Sequence, residues 1–160
     1  MQKNSHTRTL GYLFCIFVLL LASVTVLTDE IIKKYIMQKL PFNGEFFEWT
    51  FFSVGLHKNF GIAFDIPLAP VFVLVISLLF AVLLAHIAFK HLRTHPCISL
   101  GAAMIIIGAS GNLFDRLMYG FTVDYLLFFK TSALNLSDFV ILAGTLVLLF
   151  ASRVKKSVDN

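Results

Sequence analysis

Charge is what this sequence has least of. Only 14% of its 160 residues are charged, while 58% are hydrophobic. A soluble domain usually carries roughly a quarter charged residues, and the mean hydropathy of +0.86 excludes an ordinary solvated surface on every side. Cysteine is also scarce. Cys15 and Cys97 lie on different apolar segments, so no disulfide framework is expected. No Cys/His set has zinc spacing, and neither a metal nor a cofactor is called for. His57 stands apart from His86, His91 and His95, which read as a basic flank. Gly-rich phosphate loops, internal repeats and low-complexity tracts are missing. The net charge of +4 comes without a basic patch carrying aromatic platforms, so nucleic acid is not an expected partner.

What is there falls into blocks. A spanning helix needs about 20 mostly apolar residues. Four segments qualify, at 10–28, 66–89, 96–114 and 134–152. The first follows Lys3 and Arg8, as a signal peptide would. Its run is longer than a signal-peptide core, however, and Asp29-Glu30 stand where small residues would mark cleavage, so it reads as a retained helix. The third is rich in small residues, including Gly101, Ala102, Ala103, Gly108, Ala109, Ser110 and Gly111. Small residues let helices approach closely in lipid, which places this helix at the centre of the bundle.

Orientation follows from Lys and Arg in the short flanks. Lys3, Arg8, Lys90, Arg93, Arg153, Lys155 and Lys156 share one side in a four-span arrangement, which puts both termini in the cytoplasm. The other side collects every acidic residue except Asp159.

Two external segments remain. Residues 30–65 begin with an amphipathic stretch to Lys39 that reads as an interfacial helix. After a turn signal at 41–44 comes an aromatic, β-prone run from Phe46 to Leu56, which reads as a small sheet on the membrane surface. The segment at 117–133 is apolar for a connection. Its Tyr125, Leu126, Leu127, Phe128 and Phe129 are expected to dip into the interface or to cover a site. The expected fold is therefore an all-α membrane protein in one domain, 1–160. It has four transmembrane helices, a small extracytoplasmic β-rich cradle and an interfacial helix.

Ionisable and amide side chains in or beside spanning helices are costly, which makes them functional candidates. Here Asp29, Asn59, Asn112, Asp115, Arg116, Asp124, Asn135 and Asp138 all map to the external end. Asp115 beside Arg116 reads as a structural pair. Asp138 reads as a cap for the fourth helix, with Ser137 as the alternative. Asp124 has no basic neighbour in sequence, and a short connection brings it towards Asp138. Two close carboxylates cannot both ionise easily, so one keeps a proton. Such a pair supplies a general base and a general acid together.

Several segments, in order, resemble bacterial lipoprotein signal peptidase, also called signal peptidase II. Asp29 and Lys33 match an Asp-x-x-x-Lys segment, and Asn59-Phe60-Gly61-Ile62-Ala63-Phe64 matches Asn-x-Gly-x-Ala-Phe. Gly111-Asn112-Leu113-Phe114-Asp115-Arg116 matches Gly-Asn-x-x-Asp-Arg. Val123-Asp124-Tyr125 resembles Val-Asp-Phe, and Asn135-Leu136-Ser137-Asp138 resembles Asn-x-Ala-Asp. The resemblance implies a four-helix aspartyl peptidase of the bacterial inner membrane with its site near the outer face. Asp124 and Asp138 would be catalytic. Asp29, Lys33, Asn59, Gly61, Asn112, Asp115, Arg116 and Asn135 would support the site or bind substrate. The implied partners are membrane lipid and prolipoproteins carrying a diacylglyceryl cysteine, cut just before that residue.

The chain departs from the pattern in four places. Ser137 replaces a common Ala, Phe139 a common Ser, Tyr125 the usual Phe, and Ile107 a frequent Gly. Two other classes use intramembrane carboxylates. A proton-coupled transporter needs acidic groups reachable from both faces, and the cytoplasmic half lacks them. A non-catalytic assembly subunit would tolerate Asp124→Asn.

Overall fold

The computed structural model describes residues 2–41, 44–61, 68–129 and 132–158, and side chains within those stretches between 9 and 154 apart from Pro70. Residues 42–43 of the expected turn, Ile62-Ala63-Phe64, Asp65, the start of the second expected span and Lys130 lie outside the described residues. So do the side chains of Lys3, Arg8, Lys155 and Lys156.

Four helices carry the expected spans: α1 (Gln2–Lys39), α2 (Pro70–His91), α3 (Pro96–Tyr119) and α4 (Leu136–Val158). Each contains a stretch long and apolar enough to cross a membrane. The interfacial segment expected after Asp29 continues α1 without a break. Ile32, Ile36 and Leu40 recur at four-residue spacing, on one helix face, and pack against Leu56, Val123 and Tyr125. That second apolar surface keeps the helix going beyond the span. α3 likewise runs past 114. It stops at Gly120, whose φ of 80° suits glycine and whose N–H bonds Arg116 O at 3.0 Å.

α3 occupies the middle of the bundle. Half of its spanning window is buried, against 6% for α2. Glycine makes this possible. A Cβ on Gly101 would stand 2.6 Å from Leu148 N and 2.8 Å from Gly144 O, so the α3 and α4 backbones nearly touch.

Four antiparallel strands lie beside the polar end of the bundle in the order β1-β2-β3-β4. β1 (Glu45–Glu48) and β2 (Phe52–Asn59) are the sheet anticipated from the aromatic run. β3 (Thr122–Phe128) and β4 (Ser132–Leu134) come from the connection after α3, which the sequence presents only as an interfacial or covering segment. The first four residues of β3 are buried on both faces. Val123 and Tyr125 face the cluster around Ile36 and Leu56, and Thr122 and Asp124 line a cavity on the other side. Alternation holds only over Thr122-Val123-Asp124-Tyr125 and is lost in the apolar run Leu126-Leu127-Phe128, too short a signal to mark the strand. Tyr125 is buried rather than interfacial, at 3% exposure. Phe46, Phe47, Trp49 and Phe51 remain exposed, as residues of an interfacial aromatic belt are.

Gly101→Ala places a methyl against backbone atoms that cannot swing aside. Overpacking of this kind costs about 1–3 kcal/mol. The detergent-solubilised variant should unfold several degrees below wild type in a thermal melt. Gly11→Ala, where nothing lies within 4 Å and alanine favours the helix, should not lower the melt.

Candidate active site

The polar residues singled out in the sequence meet at one end of the bundle, in two linked groups. The first is ionic. Lys33 reaches Asp29 Oδ2 at 3.0 Å, Glu30 Oε1 at 3.0 Å and Asp115 Oδ2 at 2.8 Å. Asp29 and Lys33 share a face of α1 at i, i+4 spacing, while Asp115 comes from α3. The pairing expected between Asp115 and its neighbour Arg116 gives way to this one. Consecutive helical residues point about 100° apart, so Asp115 turns inward and Arg116 turns aside to donate to Gly61 O at 3.0 Å.

The second group is held by amides. Asn59 Nδ2 donates to Asp124 Oδ2 at 3.1 Å, and Asn135 Nδ2 donates to Asp124 Oδ1 at 2.7 Å. Asn112 Nδ2 donates to Asp138 Oδ1 at 2.7 Å, and Asn135 N–H donates to Asp138 Oδ2 at 3.0 Å. Asn112 Oδ1 accepts from Asn135 Nδ2 at 2.9 Å, closing the network. Each local element explains its member. β2 and β3 run antiparallel with Asn59 opposite Thr122, which leaves Asn59 diagonal to Asp124. Asn112 lies one helical turn before Asp115 on α3. Gly61 N–H donates to Asn59 Oδ1 at 3.0 Å, so Asn59 must present its NH2 to Asp124.

The start of α4 corrects the capping expectation. Asn135, not Asp138 or Ser137, is the N-cap: its Oδ1 accepts Asp138 N–H at 3.0 Å. Asp138 returns a bond to Asn135 N–H, forming a reciprocal capping box. Ser137 Oγ instead donates to Asp29 Oδ2 at 2.6 Å.

Asn135 therefore bonds both Asp124 and Asp138, and the two carboxylates open on one cavity of about 390 Å³. Asn59, Asn112 and Arg116 also line it. Burial, reinforced by the charge of Asp138, pushes the Asp124 carboxyl up to about 7, against hydrogen bonds from Asn59 and Asn135 that pull it down. A carboxyl that holds its proton near neutrality, beside a second carboxylate, can donate while its partner accepts.

Sequence reasoning missed Ile141, Leu142 and Thr145 on the cavity wall. They follow Asp138 at i+3, i+4 and i+7, so helical periodicity alone could have found them. Thr122 shares the β3 face of Asp124 by strand alternation. Nothing local marked Ser132, Ala133 and Leu134, which reach the cavity through strand pairing.

Four membrane-crossing helices with a polar site at one end of the bundle define a multi-pass membrane protein whose buried groups are arranged for chemistry. Residues 21–154 match the profile described as Signal peptidase (SPase) II. The chain belongs to that family, whose members are peptidases. It is 34% identical over 139 residues to a lipoprotein signal peptidase of Moorella thermoacetica, covering 81% of this chain and 88% of the relative. It is 33% identical over 134 residues to one of Streptococcus pneumoniae, covering 77% and 83%. Its fold is shared with a bacterial membrane enzyme solved by the in meso method at 2.3 Å, with a TM-score of 0.78 and 22% identity, covering 91% of this chain and 93% of that one.

Lys33→Met should destabilise the folded protein by about 3–5 kcal/mol, because it strands buried carboxylates without their cation. Thermal unfolding in detergent measures this. A melt equal to wild type would show that the cluster adds nothing to the fold.

Proposed function

We propose that the chain is an intramembrane aspartyl endopeptidase that removes signal peptides from diacylglyceryl-modified prolipoproteins, cutting just before the lipidated cysteine. The observation that carries this reading is the pair of carboxylates, Asp124 and Asp138, bridged by Asn135 and lining one cavity. Family membership supports the substrate class.

In this mechanism a water lies between the carboxylates and the scissile carbonyl. The ionised carboxylate takes a proton from the water, whose oxygen attacks the carbonyl carbon. The protonated carboxyl gives its proton to the carbonyl oxygen, producing a neutral tetrahedral diol. Collapse of the diol breaks the C–N bond: one diol hydroxyl gives its proton back to the second carboxylate, restoring the acid, while the first carboxyl gives its proton to the leaving amine. Asn59, Asn112 and Asn135 hold both carboxylates in place through neutral donors, so neither is tied up in an ion pair at the moment of transfer. Arg116, on the cavity wall, is suited to bind a substrate carbonyl. The helices and the sheet act together as one peptidase domain, with the site near the outer face and both termini in the cytoplasm.

Purified protein in detergent, given a lipidated prolipoprotein with a chelator present, should cleave it. Asp124→Asn and Asp138→Asn should fold and be inactive. Undiminished cleavage by either variant removes that residue from the mechanism, and loss of wild-type cleavage on chelation argues for a metal.

The pH dependence follows from the proton shared by the pair. Below about 7 Asp124 retains its proton; above it Asp124 ionises and can no longer serve as the acid. The rate kcat/KM should therefore fall as pH rises through about 7, with the apparent value belonging to the pair. A rate still climbing at pH 9 contradicts the shared-proton mechanism. For orientation, a reporter fused after Asn160 should register the cytoplasm, and an external signal overturns the proposed topology.

A further inference from the structure

One carboxylate on α1 collects five donors. Asp29 Oδ1 accepts Tyr125 OH at 2.7 Å and Leu136 N–H at 2.9 Å. Asp29 Oδ2 accepts Ser137 N–H at 3.2 Å, Ser137 Oγ–H at 2.6 Å and Lys33 Nζ at 3.0 Å. Two of these donors adjoin the candidate catalytic carboxylates in sequence: Tyr125 follows Asp124, and Ser137 precedes Asp138. Successive strand residues face opposite ways, so Tyr125 leaves β3 on the side away from Asp124. Asp29 thus holds β3 from behind and α4 by its first turn.

We propose that Tyr125 and Ser137 are positioning residues which, through Asp29, fix the separation between Asp124 and Asp138. The proposal rests on the peptidase reading and adds to it the device that sets the dyad's spacing. Burial and the adjacent Asp29 carboxylate hold the Tyr125 phenol above its usual range, so it remains a donor at any working pH. Ser137 has little freedom to turn elsewhere. A Cβ on Gly111 would stand 2.5 Å from Ser137 Oγ, so the hydroxyl is seated against the α3 backbone. Asp29, Tyr125 and Ser137 are all at or below 3% exposure, so water does not compete for these bonds. Tyr125→Phe and Ser137→Ala each remove one hydroxyl and keep the rest of the side chain's shape.

The test uses Tyr125→Phe, Ser137→Ala and the double variant in the full chain. Each single variant should lose about fivefold in kcat, since small misplacements of reacting groups are costly. KM should hardly change, because neither side chain lines the cavity. The loss in the double variant should be smaller than the product of the single losses, because both hydroxyls act through one carboxylate. The alkaline limb of the rate profile should move to lower pH, since looser carboxylates separate and repel less. Titration of the aspartate carboxyl carbons by 13C NMR in the same samples should show the same downward movement without relying on activity. A double variant with wild-type kcat and a titration that stays put or moves upward overturns the proposal, even if its melting temperature falls. If wild type fails to cleave but the titration still moves downward in the variants, the peptidase reading fails and the clamp stands.

Discussion

Lys33 carries an ammonium group to a place from which water is excluded. Its side chain is 1% exposed, and an unpaired cation there would cost several kcal/mol. Asp29 and Asp115 meet that cost, and each then has acceptor capacity to spare. Asp29 uses the surplus on the first turn of α4 and on Tyr125. Asp115 uses it on Val123 N–H at 3.1 Å, fixing the start of β3. The ammonium therefore joins α1 to α3 directly, and through Asp29 and Asp115, two of its three carboxylate partners, it reaches the two elements that bear Asp124 and Asp138. Without the cation, Asp29 and Asp115 would repel each other in a medium that screens poorly, and the elements they hold would part.

Charge is distributed between the two groups in a way that separates their roles. Asp29 and Asp115 lie against a cation. Asp124 and Asp138 take their direct hydrogen bonds from three asparagine side chains and one backbone N–H. Neutral donors orient a carboxylate without compensating its charge fully, so burial still favours a retained proton. On the proposed reading, a lysine or arginine in place of Asn59 or Asn135 would drain the proton affinity on which acid catalysis depends, and would lose the amide oxygen that accepts Gly61 N–H or Asp138 N–H. The preference for amides at these positions has that physical reason on the proposed reading.

Much of this was legible in the sequence because it depends on local periodicity. The four apolar blocks, the small residues of α3 and the polar residues beside the spans all follow from composition over windows of a helix or less. What was not legible depends on distant partners. Asp29 and Ser137 are 108 residues apart, and no spacing rule joins them. The partner of Asp115 was misassigned because its sequence neighbour carries the right charge, although helical geometry sends the two side chains in different directions. β3 escaped because its alternation spans only Thr122 to Tyr125 and then dissolves into Leu126-Leu127-Phe128, and its pairing partners Phe52 to Asn59 lie far away in sequence. The catalytic assignment itself came from the ordered set of motifs, because two aspartates flanking a short connection are equally consistent with capping.

On the proposed reading, the cavity also lets a polar site serve a substrate held in lipid. Leu134, Ile141 and Leu142 form apolar wall beside Asp124 and Asp138, and Thr145 continues that wall along the face of α4. The wall runs from the buried carboxylates along the first turns of α4 to Thr145. A lipid-anchored substrate cannot dive into a closed pocket, and a signal helix cannot leave the bilayer without exposing its apolar surface. On the proposed reading, both can remain in lipid while the bond between them slides sideways against α4. On that same proposed reading the cut site is set by depth: one carboxylate stands on a strand beside the bundle and the other in the first turn of a spanning helix. Specificity of this kind needs few contacts with neighbouring side chains. It does require that the two carboxylates keep a constant height and separation, which a capping box, a covered strand and a buried ion cluster together provide.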